Sequence, residues 1–502
     1  MPGSSKKYLT TVFGAPIVED NVSMTAGKGG PILLQDVALL EKLAHFGRER
    51  IPERVVHAKG AGAFGVFKAT EDMSAFTRAD FLGKAGKETE LFIRFSTVGG
   101  ERGFADADRD PRGFAIKFYT AEGNYDLVGN NTPIFFIRDP MKFPDFIHTQ
   151  KRRPDNNLRD ANIKWDFWSL TPESIHQVAI LFSDRGVPAN FRSMHGFGSH
   201  AYLWHNKKNE YFWVKYHIVT NQGIKCLTRQ EAQKMAGDDP DHATRDLYTA
   251  IADGQYPSWD LNVQILTQAE VEKFAFDPFD VTKVWPHADA PLRKIGTITL
   301  NRNPGDYFRD VEQAAFNPSS FVPGIGPSPD KLLQGRLFSY HDTHLHRLGP
   351  NYHQIPVNQP RGTKAHTNER DSYMVLSSPE GVPNYWPNSL GGPGPKPIAY
   401  PEIPVTGAAA RYPVEVTSLD YEQAAALYNR VLTAPERERL LDNVADSLAG
   451  AIDRVRLRSL VMFYKMEPGA AKLLAEAVKS DYGQVEKLAA LSFADLVKAT
   501  AA

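Results

Sequence analysis

Residues 90–96, ELFIRFS, alternate without a break. In an extended chain successive side chains point to opposite faces, so Leu91, Ile93 and Phe95 share one face and Phe92, Arg94 and Ser96 share the other. The first face is wholly apolar and suits a core. The second carries a serine hydroxyl, which can orient an imidazole, and a guanidinium, which can hold an anion. The same period returns in YFWVKYHIV (211–219), where Phe212, Val214, Tyr216 and Ile218 fall on one side, in SWDLNVQIL (258–266) and in RKIGTITL (293–300). Several such strands separated by turns predict an antiparallel sheet or barrel over about 56–300.

The rest of the chain divides around that block. Residues 1–55 are punctuated by Gly and Pro and read as an extended arm with one helical piece, LLQDVALLEKLAHFGRE. DFWSLTPESIHQVAILFSDRGVP (166–188) reads as a helical insertion with a polar face. Residues 301–418 are mostly irregular, and SSPEGVPNYWPNSLGGPGPKPIAYPEIPVTG (377–407) must wrap another surface, since it has too little patterning to fold alone. From 419 to 502 the pattern is helical. Thr433 and Glu436 have capping-box spacing, and Leu441, Val444, Leu448, Ile452 and Val455 follow at steps of three and four, as on an amphipathic helix. AAKLLAEAVKSDYGQVEKLAAL repeats that character.

Bulk properties bound the function. The 502 residues are 42% hydrophobic and 23% charged, enough for a large core. A formal net charge of −1 gives no electrostatic reason to expect nucleic acid or an anionic membrane as partner. Cys226 is the single cysteine, so an intramolecular disulfide and a cysteine zinc site are excluded. The N-terminal stretch MPGSSKKYLTTVFGAPIVED lacks an apolar signal core, no stretch reaches membrane-span length, and VKATAA is not a peroxisomal address. The expectation is a cytoplasmic protein. No GxGxxG, Walker, GxSxG or HExxH motif is present.

Two polar constellations remain. In PSPDKLLQGRLFSYHDTHLHRLG (327–349), Ser328 suits a helix cap, Pro329 the first turn and Gly349 the exit. Arg336, Tyr340, His344 and Arg347 then form one stripe. His341 and His344 are neighbours, but His346 lies about 140° round the helix from His341. One helix so spaced cannot supply a three-histidine zinc site, and surface or interface histidines are the better reading. A guanidinium one turn from a phenol stabilises its ionised form, and a phenolate is a hard ligand suited to Fe(III). On spacing alone an ordinary surface Arg packed over a Tyr is the better reading. In RIPERVVHAKGAGAFGVF (50–67), Arg54 precedes His57 by three residues, and three glycines follow within a strand entry, where a bulky neighbour can approach. By itself His57 reads first as a structural histidine at a barrel rim, the commoner case for a lone histidine. NYDLVGNNTPIFFIRDPMKFPDF offers Asn130, a neutral donor and acceptor, beside Phe135, Phe136 and Phe143.

Taken together these stretches resemble one family over nearly the whole chain. FGRERIPERVVHAKGAG (46–62) is similar to the active-site signature of the monofunctional haem catalases, and RLFSYHDTH (336–344) to their haem-ligand signature. RFSTV, DPRGFAIKFYT, GNNTPIFFIRD, VWPH and RLGPNY follow the family's order. The length resembles the small-subunit branch. The resemblance implies an α+β fold: an N-terminal arm, an antiparallel eight-stranded β-barrel, a wrapping segment and a C-terminal α-helical domain, assembled as a homotetramer. It implies dismutation of hydrogen peroxide through an oxidised haem intermediate, in defence against peroxide stress. Tyr340 resembles the axial ligand of haem b, the tyrosine-ligated case, and Arg336 the arginine that ionises it. His57 resembles the distal histidine, Asn130 the distal asparagine and Ser96 the residue that fixes the imidazole. Arg54, Arg94 and Arg347 resemble the haem-propionate partners, Phe135 and Phe143 the flanking aromatics, and Val56 and Asp110 residues of the peroxide channel. His176, Ser183, Arg185 and His287 resemble an NADPH site of some members. Ile180 and Val219 depart from that site's pattern, standing where binders often carry an aromatic and some a lysine.

Overall fold

A computed structural model describes residues 7–376, 383–413 and 415–501. Residues 377–382 of the Pro- and Gly-rich stretch lie outside the described residues. The alternating ELFIRFS segment forms the end of a strand whose neighbours share its period. Among the described residues the strands are β1 Gly60–Ala69, β2 Glu88–Ser96, β3 Gly113–Thr120, β4 Gly123–Asn130, β5 Gly196–Phe197, β6 Tyr202–His205, β7 Tyr211–Thr220, β8 Ser258–Leu266, β9 Arg293–Arg302 and β10 Ile325–Pro327. Antiparallel pairing runs β1–β2–β3–β4–β5–β7–β8–β9 and closes from β9 back to β1. This is an eight-stranded barrel. β6 extends it outside β7, and β10 pairs with β6. Closure removes the unpaired edges that an open sheet would expose.

The alternation assigns the two faces of the barrel wall. Leu91, Ile93 and Phe95 meet Phe114, Ile116, Phe118, Tyr216, Ile218 and Trp259 in one buried core. The opposite face carries the site. Register there aligns Gly60, Ser96, Gly113 and Asn130 in one row and Gly62, Arg94, Ala115 and Val128 in the next. The glycines of β1 have a physical reason. A Cβ on Gly60 would stand 2.6 Å from the Arg94 guanidinium carbon, and one on Gly62 2.5 Å from the Phe92 ring.

The helices depart from the sequence reading in three places. The helix bearing Tyr340 spans Lys331–Leu348 and ends at Gly349, whose φ of 105° suits glycine. Its cap is Asp330, not Ser328. The Asp330 carboxylate accepts from the Leu332 and Leu333 N–H groups at 2.9 and 3.1 Å, while Ser328 Oγ accepts from Asp330 N at 3.3 Å. The insertion is two helices, Ala161–Leu170 and Ile175–Phe182, and the second is buried at every position rather than polar-faced. It packs in one cluster with the C-terminal helices, so no side of it meets water. Finally, the apolar series from Leu441 to Val455 spans two helices, Ala434–Leu448 and Asp453–Met466. Ile452 caps the second and is 46% exposed. The Thr433–Glu436 capping box is present, and Leu441, Val444, Leu448 and Val455 are buried.

Met1–Glu53 forms a unit separate from Arg54–Ala502. Within it Asp36 caps the helix Val37–Phe46, and Lys42 pairs with Asp20 at 2.8 Å. None of its described residues is buried.

Candidate active site

The chain enters β1 through His57, whose φ of 62° lies in the left-handed region. A non-glycine residue persists there only where its surroundings hold it. Here its N–H donates to Val98 O at 3.1 Å, and Nδ1 hydrogen-bonds Ser96 Oγ at 2.8 Å. Ser96 closes β2 opposite Gly113. A Cβ on Gly113 would lie 2.3 Å from Ser96 Oγ and 2.6 Å from His57 Nδ1, so this glycine makes room for the pair. Burial, reinforced by Arg94, Arg336 and Arg54, lowers the His57 pKa to about 3. The imidazole is therefore neutral at ordinary pH.

His57 and Asn130 line a cavity of about 660 Å³, whose wall also carries Val56, Asp110, Phe135, Phe143, Arg336 and Tyr340. These residues singled out from the sequence, with Phe136 beside them, thus meet around one space, brought there by the segment leading into β1, by β4, by the helix Phe143–Gln150, by the Lys331–Leu348 helix and by the loops between. Phe135 and Phe143 stack with centroids 6.3 Å apart. Asp110 accepts from the Val98 and Gly99 N–H groups at 2.6 Å each. Burial, with Asp108 nearby, raises its pKa against those hydrogen bonds.

On the helix, Arg336 Nη2 donates to Tyr340 Oη at 3.0 Å and to Val128 O at 2.8 Å. The Arg–Tyr pair read from spacing is therefore a direct hydrogen bond, part-buried on a cavity wall. Arg336 is itself held charged, its pKa raised by Tyr340 and Tyr202 although burial acts the other way. The three histidines diverge. His341 Nδ1 bonds Tyr352 Oη at 2.8 Å, His344 Nε2 bonds Phe316 O at 3.1 Å, and His346 faces outward.

Arg54, Arg94 and Arg347 lie off the cavity wall but form a cluster tied to it. Arg94 Nη1 donates to His57 O at 2.8 Å. Arg54 and Arg347 both donate to Glu312 O, at 2.8 and 2.9 Å. Burial, then Arg94 and Arg347, holds the Arg54 guanidinium well below its ordinary pKa. Burial lowers Arg347 to about 10. Arg54 Nη1, Arg94 Nε and Arg347 Nε have no hydrogen-bond partner among the described residues. Buried cationic donors without acceptors are costly, and this cluster fits an anionic group such as the carboxylates of a haem. With a phenol held by arginine and aromatic walls on the adjoining cavity, the donor set fits that group.

The nicotinamide candidates are not on this cavity. His176 is buried, and Ser183 Oγ donates to Ile180 O at 2.7 Å. Arg185 and His287 are exposed. Sequence reasoning missed Gly113, legible only once β2 and β3 are in register. It also missed His200, which lines the cavity with Nδ1 2.6 Å from Asp330 Oδ2, so the helix cap is also a histidine partner.

A neutral, half-buried histidine and an arginine-bound tyrosine thus line one cavity beside the barrel. Comparisons with known proteins identify the family. The family model described as Catalase matches residues 10–392, and that described as Catalase-related immune-responsive matches 417–478. The catalase of Methanosarcina barkeri is 57% identical over 99% of both chains. The bromoperoxidase-catalase of Streptomyces venezuelae is 54% identical, covering 94% of this chain and 98% of that one. Catalase A from Saccharomyces cerevisiae superposes with a TM-score of 0.91 at 47% identity, over 94% of this chain and 99% of that one. The chain belongs to the catalase family, haem enzymes that decompose hydrogen peroxide.

Proposed function

We propose that the chain dismutates hydrogen peroxide to water and oxygen at a haem b ligated by Tyr340, with His57 as proton carrier. The observation that carries this reading is the single cavity lined by His57 and Asn130 as well as by Tyr340 and Arg336. The bound haem supplies the two-electron redox exchange between successive peroxides.

The chain's own residues do the rest. Peroxide has almost no features to recognise, so selectivity falls to a narrow channel, which we assign to Val56 and Asp110. Asn130 offers an amide that orients it. His57 is neutral, and its Nδ1 is occupied by Ser96, which leaves Nε2 to take a proton from one peroxide oxygen and return it to the other. Water then departs as a neutral leaving group. The second peroxide gives up its protons through the same nitrogen. Arg336 holds a fixed positive charge against Tyr340 Oη and donates a hydrogen bond to it, which supports the phenolate form of the ligand. The guanidiniums of Arg54, Arg94 and Arg347 would receive the propionates.

Steady oxygen release from hydrogen peroxide by the haem-loaded chain, lost in His57→Ala while haem is retained, supports this reading. A fully active His57→Ala protein contradicts it. Self-association as a homotetramer is part of the proposal and draws on the arm, where Phe13, Val18 and Leu34 are 93%, 99% and 82% exposed. A monomer in light scattering at micromolar concentration would count against it. Protection from peroxide stress in the cytoplasm, and NADPH held near Arg185 and His287, complete the proposal. Nicotinamide fluorescence released on denaturing the purified protein tests the NADPH part.

A further inference from the structure

Glu312 is a buried carboxylate that the peroxide chemistry does not use. It ends a π-helical turn, Phe308–Glu312, and its side chain is 1% exposed. Its carbonyl receives Arg54 Nη2 at 2.8 Å and Arg347 Nη1 at 2.9 Å. Its carboxylate does not close on either. Oε2 stands 3.9 Å from Arg54 Nη1, beyond hydrogen-bond distance, and both atoms lack a hydrogen-bond partner among the described residues. A gap therefore separates the carboxylate from the guanidinium it faces.

The charges that act on one another here form a short set. Arg54 is influenced by Arg94, Arg347 and Glu312, with Tyr307 the remaining polar neighbour. Arg94 and Arg347 feel the same carboxylate. Three guanidiniums against one carboxylate leave a formal excess of two positive charges. Haem b carries two carboxylates. With them in place the cluster is neutral. Without Glu312 it would hold an uncompensated buried charge, which protein interiors tolerate poorly.

We infer that Glu312 moderates the charge selectivity of this cluster, leaving it neutral rather than positive once a porphyrin with two carboxylates is bound. This rests on the haem reading above. It has a consequence separate from activity. Glu312 repels the same carboxylates that the arginines attract, so it limits how strongly the cluster prefers a dicarboxylate haem over an uncharged one. Removing its charge should sharpen that preference, whereas a residue that merely fills space would affect both ligands alike.

The test uses the full chain stripped of haem and titrated with haem b or with its dimethyl ester, following the Soret band. The quantity is the ratio of the two affinities. Wild type should favour haem b. Glu312→Gln should raise the ratio by about tenfold, one unit charge at a few ångströms in a partly dry site. Glu312→Asp moves the carboxylate back by one methylene and should raise it by about two- to threefold, and this variant decides the matter if the glutamine variant does not fold. An unchanged ratio in the folded variant overturns the role of Glu312 and leaves the haem site standing. No preference for haem b in wild type overturns the haem reading of the arginine cluster itself.

Discussion

Gly113→Ala adds one methyl group at the point where β3 passes behind the His57–Ser96 pair. The new Cβ would stand 2.3 Å from Ser96 Oγ and 2.6 Å from His57 Nδ1. Contacts under 3 Å must relax, and the backbone cannot easily move, since Gly113 is paired with both Ser96 and Asn130 in the barrel wall. The side chains therefore yield. Losing a hydrogen bond to a buried group costs about 1–3 kcal/mol, and overpacking adds about 1–3 kcal/mol to folding. For catalysis the geometric effect is larger, because a displacement of about 1 Å in a catalytic group can cost about 100-fold in rate. Oxygen evolution by Gly113→Ala should fall about 10- to 100-fold at unchanged haem content. Ser96→Ala loses the hydrogen bond without the clash and should fall less. Because the two act through one imidazole, the double variant should be no worse than Gly113→Ala alone. Wild-type turnover in Gly113→Ala would refute the claim that the His57–Ser96 pair is held by this packing.

Three further expectations concern pH and stability. With its pKa near 3, His57 is neutral across ordinary pH, so turnover should be flat from about pH 5 upward and decline only as pH approaches that value; an acid limb centred near 6.5 would contradict the burial argument. Stability should behave differently. His57, His176 and His344 are all lowered to about 3, so between there and 6.5 the unfolded chain binds more protons than the folded one, and stability falls as pH falls. Each contributes up to about 2 kcal/mol of loss at pH 5, readable as a lower denaturant midpoint than at pH 7, and equal midpoints would count against neutral burial. Thr433→Ala removes one half of a formed capping box and should cost about 1 kcal/mol without touching turnover, measured by thermal unfolding beside an activity assay.

Much of the site was legible in local pattern. Strand period separated Leu91, Ile93 and Phe95 from Arg94 and Ser96, and the barrel uses those two faces as core and site. Helical period put Arg336 next to Tyr340, and they are hydrogen-bonded. What pattern could not supply was pairing between distant segments. Gly113 matters because of register, and Glu312 because two arginines from separate segments, Arg54 and Arg347, converge on its carbonyl. Competition between neighbours was also hidden. Ser328 and Asp330 are both good caps, and the carboxylate two residues nearer the helix wins. Ile452 continued an apolar series only on paper, because Gly450 and the turn around it end the first helix before that position.

The central claim is that Tyr340 and His57, on the wall of one cavity, would serve the same haem. The absorption spectrum of the purified chain, taken for wild type, Tyr340→Phe and His57→Ala, tests it most directly. The account predicts a ferric haem band in wild type that persists in His57→Ala and is lost or shifted in Tyr340→Phe. A Tyr340→Phe protein with the wild-type spectrum would contradict it.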